Sequence, residues 1–146
     1  MKKVSKKQVG FTLIELAIVL SVIGIMAAVI LPGLFQSRED AKYATAQTQL
    51  EKDFPSAIIR YVTRKNTCVG MKAEDLIERG VSENSIWGSP WSITTNTNTA
   101  TLTYPIEAND SNPDAEEDLA TALALSSNVQ SAAASGTGVT IVYRCN

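Results

Sequence analysis

Apolar and polar positions divide this chain into sharply different stretches. Residues 1–10 are polar and basic, residues 11–35 form an apolar run, and the rest is a Thr-, Asn- and Ala-rich polar chain. The apolar run has 25 residues. As a helix rising 1.5 Å per residue it would be about 37 Å long, enough to cross a hydrocarbon core of ~30 Å with some tilt. Gly24 and Pro32-Gly33 interrupt it. Pro32 lacks an N–H, so a kink or a loosened turn is expected around these positions.

From residue 36 to about 64 the pattern becomes amphipathic. Tyr43, Gln47, Leu50, Phe54, Ile58 and Tyr61 recur every three or four residues, while Arg38, Glu39, Asp40, Lys42, Glu51 and Lys52 occupy other faces. Such spacing predicts a helix with one packed stripe, continuing the apolar helix to some 50 residues. Pro55 is a second weak point, where Asp53 could cap a restarted helix.

The remainder, residues 65–146, mixes periods. Residues 72–79 read as a short helix with Gly80 as its C-terminal cap. Residues 91–95 and 99–104 alternate and are rich in β-formers, and Asn96-Thr97-Asn98 between them predicts a hairpin. Residues 112–125 read as a helix, with Asn112 as cap, Pro113 at the first position and acids in the first turn. Residues 126–138 read as a Ser/Ala/Gly loop, and residues 139–145 as a final strand. The expected fold class is α+β: a long N-terminal helix packed on a small antiparallel β-sheet head.

Charge sharpens the division. The formal net charge is −2, but Lys2, Lys3, Lys6 and Lys7 all lie in the first ten residues. Taking these four from 13 basic residues leaves 9 against 15 acidic ones, a net of −6. An acidic body argues against general nucleic-acid binding, which draws its affinity from basic groups on phosphates. Histidine is absent, which removes the commonest general acid–base group and metal ligand. No nucleophile has a plausible base and no Gly-rich phosphate loop is present, so an enzyme is not expected. The basic start resembles the n-region of an export signal, which the positive-inside rule keeps in the cytoplasm. Met26-Ala27-Ala28 imitates an ordinary A-x-A cleavage site, but Gly10, directly before the apolar run, offers a different cut on the cytoplasmic side. Two cysteines, Cys68 and Cys145, in an exported chain suggest one disulfide. It would close a loop of 77 positions, for which the chain-entropy model gives roughly 4–5 kcal/mol. Two unpaired buried thiols are the alternative.

Gly10-Phe11-Thr12-Leu13-Ile14-Glu15-Leu16, placed after the basic segment, resembles the type IV pilin signature. The small residue before the cut, the aromatic first mature residue, the acid at the fifth mature position, the apolar run and Pro32 all fit, and the likeness covers about the first 65 residues. The resemblance implies a prepilin leader over residues 1–10, cleaved between Gly10 and Phe11 by a prepilin peptidase that also N-methylates Phe11. It further implies a filament-core helix over residues 11–35, with Phe11 and Glu15 as the assembly pair: the ammonium of an arriving subunit meets Glu15 of one already in place. The physics agrees. A carboxylate at membrane depth is costly and demands a partner, and no Lys or Arg lies within a turn of Glu15. The plainer readings are a carboxylate at the bilayer interface and an inert membrane anchor.

Trp87-Gly88-Ser89-Pro90-Trp91 looks like a turn common in pilins and in the major pseudopilins of type II secretion, with aromatics packing beneath Gly and Pro. Asp110, Asn112 and Asp114 alternate as candidate calcium ligands. However, Ala115 and Thr121 stand where an EF-hand needs Gly and Glu, and the same residues make a helix N-terminus, so no metal or cofactor is expected. The implied partners are further copies of the chain, the prepilin peptidase, an inner-membrane assembly platform, minor pilins, and the membrane before assembly. A secretion pseudopilin, a minor pilin and a membrane-anchored adhesin are the rival readings; the cysteine pair, which major pseudopilins generally lack, favours the pilin.

Overall fold

The computed structural model describes residues 11–107 and 113–145. The chain forms two compact units, Met1–Arg38 and Glu39–Asn146. Helix α1, Leu13–Thr48, belongs to both; a π-helical turn, Gln49–Asp53, and helix α2, Phe54–Lys65, continue it without a break. Within the first unit α1 is helical through Gly24 and Pro32. Its side chains are nearly all exposed, Leu13 at 88% and Ile25 at 68% among them. Ser21 and Ser37 donate their hydroxyls to the carbonyls of Ala17 and Gly33, four residues back, so neither hydroxyl is left unpaired on the apolar surface.

The second unit holds the core. It adds the short helix α3 (Ala73–Ile77), strands β1 (Ser92–Thr95) and β2 (Thr99–Pro105), helix α4 (Ala115–Ala124), and strands β3 (Val129–Ala134) and β4 (Gly138–Arg144). The strands make one antiparallel sheet in the order β1-β2-β4-β3. Alternation decides its faces. Ala100, Leu102 and Tyr104 of β2 and Val139, Ile141 and Tyr143 of β4 are buried, whereas Thr101, Thr103, Thr140 and Val142 face outward. The buried face meets Ala46, Leu50, Phe54, Ala57, Ile58 and Tyr61 of the long helix and Leu119, Ala120 and Leu123 of α4 in one core.

The stripe on the long helix is not an ordinary α-helical one. Ala46, Leu50, Phe54 and Ile58 are spaced by four and all fully buried. In a pure α-helix three such steps would drift about 120° around the axis. The π turn, with bonds five residues back, is one residue wider and takes that drift out.

Three expectations need correction. Asp53 does not cap a restarted helix: it has helical backbone angles and makes no side-chain cap bond, because the π turn carries the chain through. Helix α4 starts at Ala115 with Asp114 at the cap position; Pro113 lies in the preceding turn, and Asn112 lies outside the described residues. Residues 126–138 are not a loop. They contain β3, which runs along β4 with a register shift between Val129 and Ser131. Its small side chains have little intrinsic β-preference; the open edge of β4 supplies the pairing.

Elsewhere the turns obey the expected chemistry. Gly80, after α3, has a positive φ of 98° and donates to the Ile77 carbonyl at 3.0 Å, as a helix-ending glycine does. Asn96 donates to Thr99 across the β1–β2 hairpin at 2.8 Å.

Candidate functional site

The candidate assembly site begins at the first described residue. Phe11 and Thr12 precede α1, and both are exposed. The Thr12 hydroxyl accepts the N–H of Glu15 at 3.3 Å. In return one Glu15 oxygen, Oε2, accepts both the N–H and the hydroxyl of Thr12, each at 3.0 Å. Thr-x-x-Glu with reciprocal bonds is a capping box, satisfying donors that a helix start leaves unpaired. Glu15 is thus oriented back toward the helix N-terminus, where the helix dipole favours an anion. This role was open to sequence reading, since a Thr three residues before a Glu at the head of an apolar run is the motif's signature. Gly10 and Lys2, Lys3, Lys6 and Lys7 lie outside the described residues.

Around this point the chemistry is sparse. Across residues 11–35 Glu15 is the sole charge, and the surrounding surface is aliphatic: Ile14, Leu16, Ile18 and Val19 are all exposed. Among the described residues of its own unit this continuous apolar surface meets no partner. The helix is long and apolar enough to cross a membrane.

The head has a second set of predicted residues. Cys68 and Cys145 are disulfide-bonded with their Cα atoms 5.9 Å apart. The bond ties the segment after α2 to the end of β4, whose Cys145 N–H also donates to Asn98 at 3.0 Å. In the Trp87–Trp91 turn, Gly88 takes a φ of 90° and Trp91 turns inward, donating its indole N–H to Ser82 at 2.6 Å. The Trp91 ring meets Phe54 edge-on at 4.9 Å, and Trp87 meets Tyr104 at 6.5 Å, so both aromatics pack as expected.

Of the calcium candidates, Asp110 and Asn112 lie outside the described residues. Asp114 accepts the Asp118 N–H through its backbone carbonyl at 2.9 Å, as the first turn of α4 requires. Among the described residues no group of three His, Cys, Asp or Glu side chains is placed to hold a metal. Two hollows of about 170 Å³ flank Ile59. Among the described residues lining them, Arg144 is the one charged side chain.

Burial pushes the Tyr104 hydroxyl above the usual tyrosine range. Burial, helped by Tyr104 and Glu51, pushes Tyr143 up further. Both tyrosines are therefore neutral donors at physiological pH, and both donate to the π turn of the long helix. Sequence reading placed them in strands and missed this role, because their partners lie 55 and 93 residues away.

No curated protein and no solved structure matches the chain significantly. A family match falls on the second half of the basic segment and most of the apolar run, where the capping box and the lone acid lie. Residues 5–31 carry the prokaryotic N-terminal methylation motif, the class III signal of type IV pilins.

Proposed function

We propose that this chain is a structural subunit of a type IV pilus, polymerising through its N-terminal helix into a surface filament. The observation that carries the reading is the methylation motif at residues 5–31, set on an exposed apolar helix whose single charge is Glu15 and succeeded by a disulfide-closed α+β head. In this reading residues 1–10 are a leader, removed by a prepilin peptidase between Gly10 and Phe11, with Phe11 then N-methylated. Residues 11–35 hold the mature chain in the inner membrane, residues 36–64 continue the helix, and the head, residues 65–146, waits in the periplasm. An assembly platform, with minor pilins, then draws subunits into a homopolymer whose core is the bundled helices. Gly24 and Pro32 are the points where the helix can bend, since Pro32 leaves one carbonyl without its helical donor.

Glu15 sets register. Cleavage creates an α-ammonium on Phe11, one residue from Thr12, and the capping box already holds the Glu15 carboxylate at that end of the helix. In a dry helical bundle a mispaired subunit would leave a buried charge without a counter-ion, so pairing the Phe11 ammonium of one copy with Glu15 of another selects one stagger. A pseudopilin of a type II secretion system would share the leader and helix; the Cys68–Cys145 bond favours the pilin.

Two measurements test this. Mass spectrometry of the mature protein should show an N-methylated chain starting at Phe11; an intact Met1 terminus on surface protein would overturn the reading. With Glu15→Val as the sole subunit, the membrane pool should stay normal while sheared surface subunit disappears from immunoblots. Normal piliation by that variant would demote Glu15 to a helix cap.

A further inference from the structure

Leu50 carries a backbone carbonyl that its own helix cannot satisfy. In an α-helix the partner would be the N–H of Phe54, four residues on, but in the π turn that N–H donates to Gln49 instead. The partner five residues on would be Pro55, which has no N–H. Leu50 is fully buried, and an unpaired carbonyl there is costly. The hydroxyl of Tyr143, on β4, donates to it at 2.7 Å. A second sheet tyrosine holds the same turn: Tyr104 donates to the Gln49 side-chain oxygen at 2.9 Å, and its own oxygen accepts the Ile86 N–H at 3.0 Å.

Two donors therefore compete for one carbonyl. With Tyr143 in place the turn is π. If the Phe54 N–H moved from Gln49 to Leu50, the helix would satisfy that carbonyl alone and the tyrosine would be free. The move would also remove the extra residue of phase, turning Ala46 away from the sheet by on the order of 100°, while Ala57, on the far side of the turn, would stay where it is. We propose that Gln49–Asp53 is a two-state register element, held in its π form by the Tyr143 hydroxyl, which can change the face presented by the helix just before it without unfolding the sheet. The proposal rests on hydrogen bonding within the head and is independent of whether the chain polymerises. Both forms satisfy the buried Leu50 carbonyl; the α form moves the missing Pro55 donor to the carbonyl of Glu51, a residue only partly buried.

The test uses the full chain in detergent micelles, with its native disulfide intact. Ala46→Cys and Ala57→Cys place a single thiol on either side of the turn, at positions equally buried in the π form. Adding Tyr143→Phe should speed thiol labelling at position 46 at least tenfold and change labelling at position 57 less than twofold. Equal acceleration at both positions would mean general loosening, and no acceleration would mean no second register; either overturns the proposal. A stability cycle covers the case in which Tyr143→Phe folds poorly. Pro55→Ala restores the missing N–H, so the Leu50 carbonyl gains a backbone donor in either register. The fall in the folding equilibrium constant caused by Tyr143→Phe should then shrink at least fivefold, or a variant that fails to fold alone should fold again. An undiminished loss, or failure to fold in both backgrounds, would show that the Leu50 carbonyl is not what Tyr143 serves.

Discussion

The helix on the two sides of residue 38 is one secondary structure in two physical situations. Before it, Leu13, Ile14 and Ile25 are more than two-thirds exposed; beyond it, Ala46, Leu50 and Phe54 are at 1% or less. The first stretch is apolar nearly all round and, among the described residues, packs against no core, so its side chains stay open to lipid or to other chains. The second is apolar on one stripe only, and the sheet and α4 cover that stripe. An apolar helix is thus not by itself a folded one: the same side chains stabilise a fold in one place and demand a partner in the other.

The comparison breaks most visibly on truncation of a large side chain. Phe54 is buried against Trp91 and Tyr104, so Phe54→Ala should cost the head about 3–5 kcal/mol. Ile23→Ala, in the exposed stretch, should leave the head's denaturation midpoint unchanged. Thermal or urea melts of the full chain in detergent, monitored by near-ultraviolet circular dichroism, separate the two. Next in size is the staple. Cys68→Ser with Cys145→Ser should lower head stability by about 2–5 kcal/mol and reduce filament yield, whereas quantitative thiol labelling of unreduced wild type should find no free thiol.

Gly138 sharpens the contrast at one backbone position. Its φ is 155°, and a Cβ there would collide with the Tyr104 carbonyl on the neighbouring strand. Gly138→Ala should destabilise the head by about 1–3 kcal/mol. The glycines of the exposed helix, Gly24 and Gly33, have open space around the added atom, and Ala there should be neutral or favourable for helicity.

Alkali should find the head and spare the apolar helix, which has no tyrosine before Tyr43. Tyr104 and Tyr143 are held protonated by burial. The unfolded chain loses those protons near pH 10 and the folded chain does so only higher, so their contribution is intact below about pH 10 and is lost as pH rises beyond it. Each tyrosine can add a slope of up to about 1.4 kcal/mol per pH unit in that range. Urea midpoints from pH 8 to 11.5 should bend downward, and Tyr143→Phe should flatten the bend. The smallest effect is at the other end of the chain. Thr12→Ala removes half of the capping box and should speed amide exchange over residues 13–15 several-fold, with no change in the exchange of the sheet.

Much was readable from the residues because it depends on near neighbours. The apolar run, the lone acid, the helix-ending Gly80 and the Asn96-Thr97-Asn98 hairpin are properties of a few consecutive side chains, and each is where its chemistry put it. The stripe was legible from Leu50 to Tyr61, but before it the buried position is Ala46 and not the expected Gln47, whose side chain bonds Glu51, and its meaning was not legible. The steps of four linking Ala46, Leu50, Phe54 and Ile58 exceed the α-helical period, a signal for a widened turn that a count of threes and fours overlooks.

By itself, then, the sequence determined which stretch is apolar, that Gly80 closes the short helix before it, and that the head is α+β, since period and turn chemistry act over a few residues. Only the tertiary structure decided that Ser131, Ala132 and Ala133 form a strand, because residues with no preference of their own take the conformation of the edge they pair with. It also decided that the helix at Gln49–Asp53 is π and not α. The donor that holds it, the Tyr143 hydroxyl, comes from 93 residues away: steps of four can hint at a widened turn, but they cannot name a partner that folding alone brings within reach.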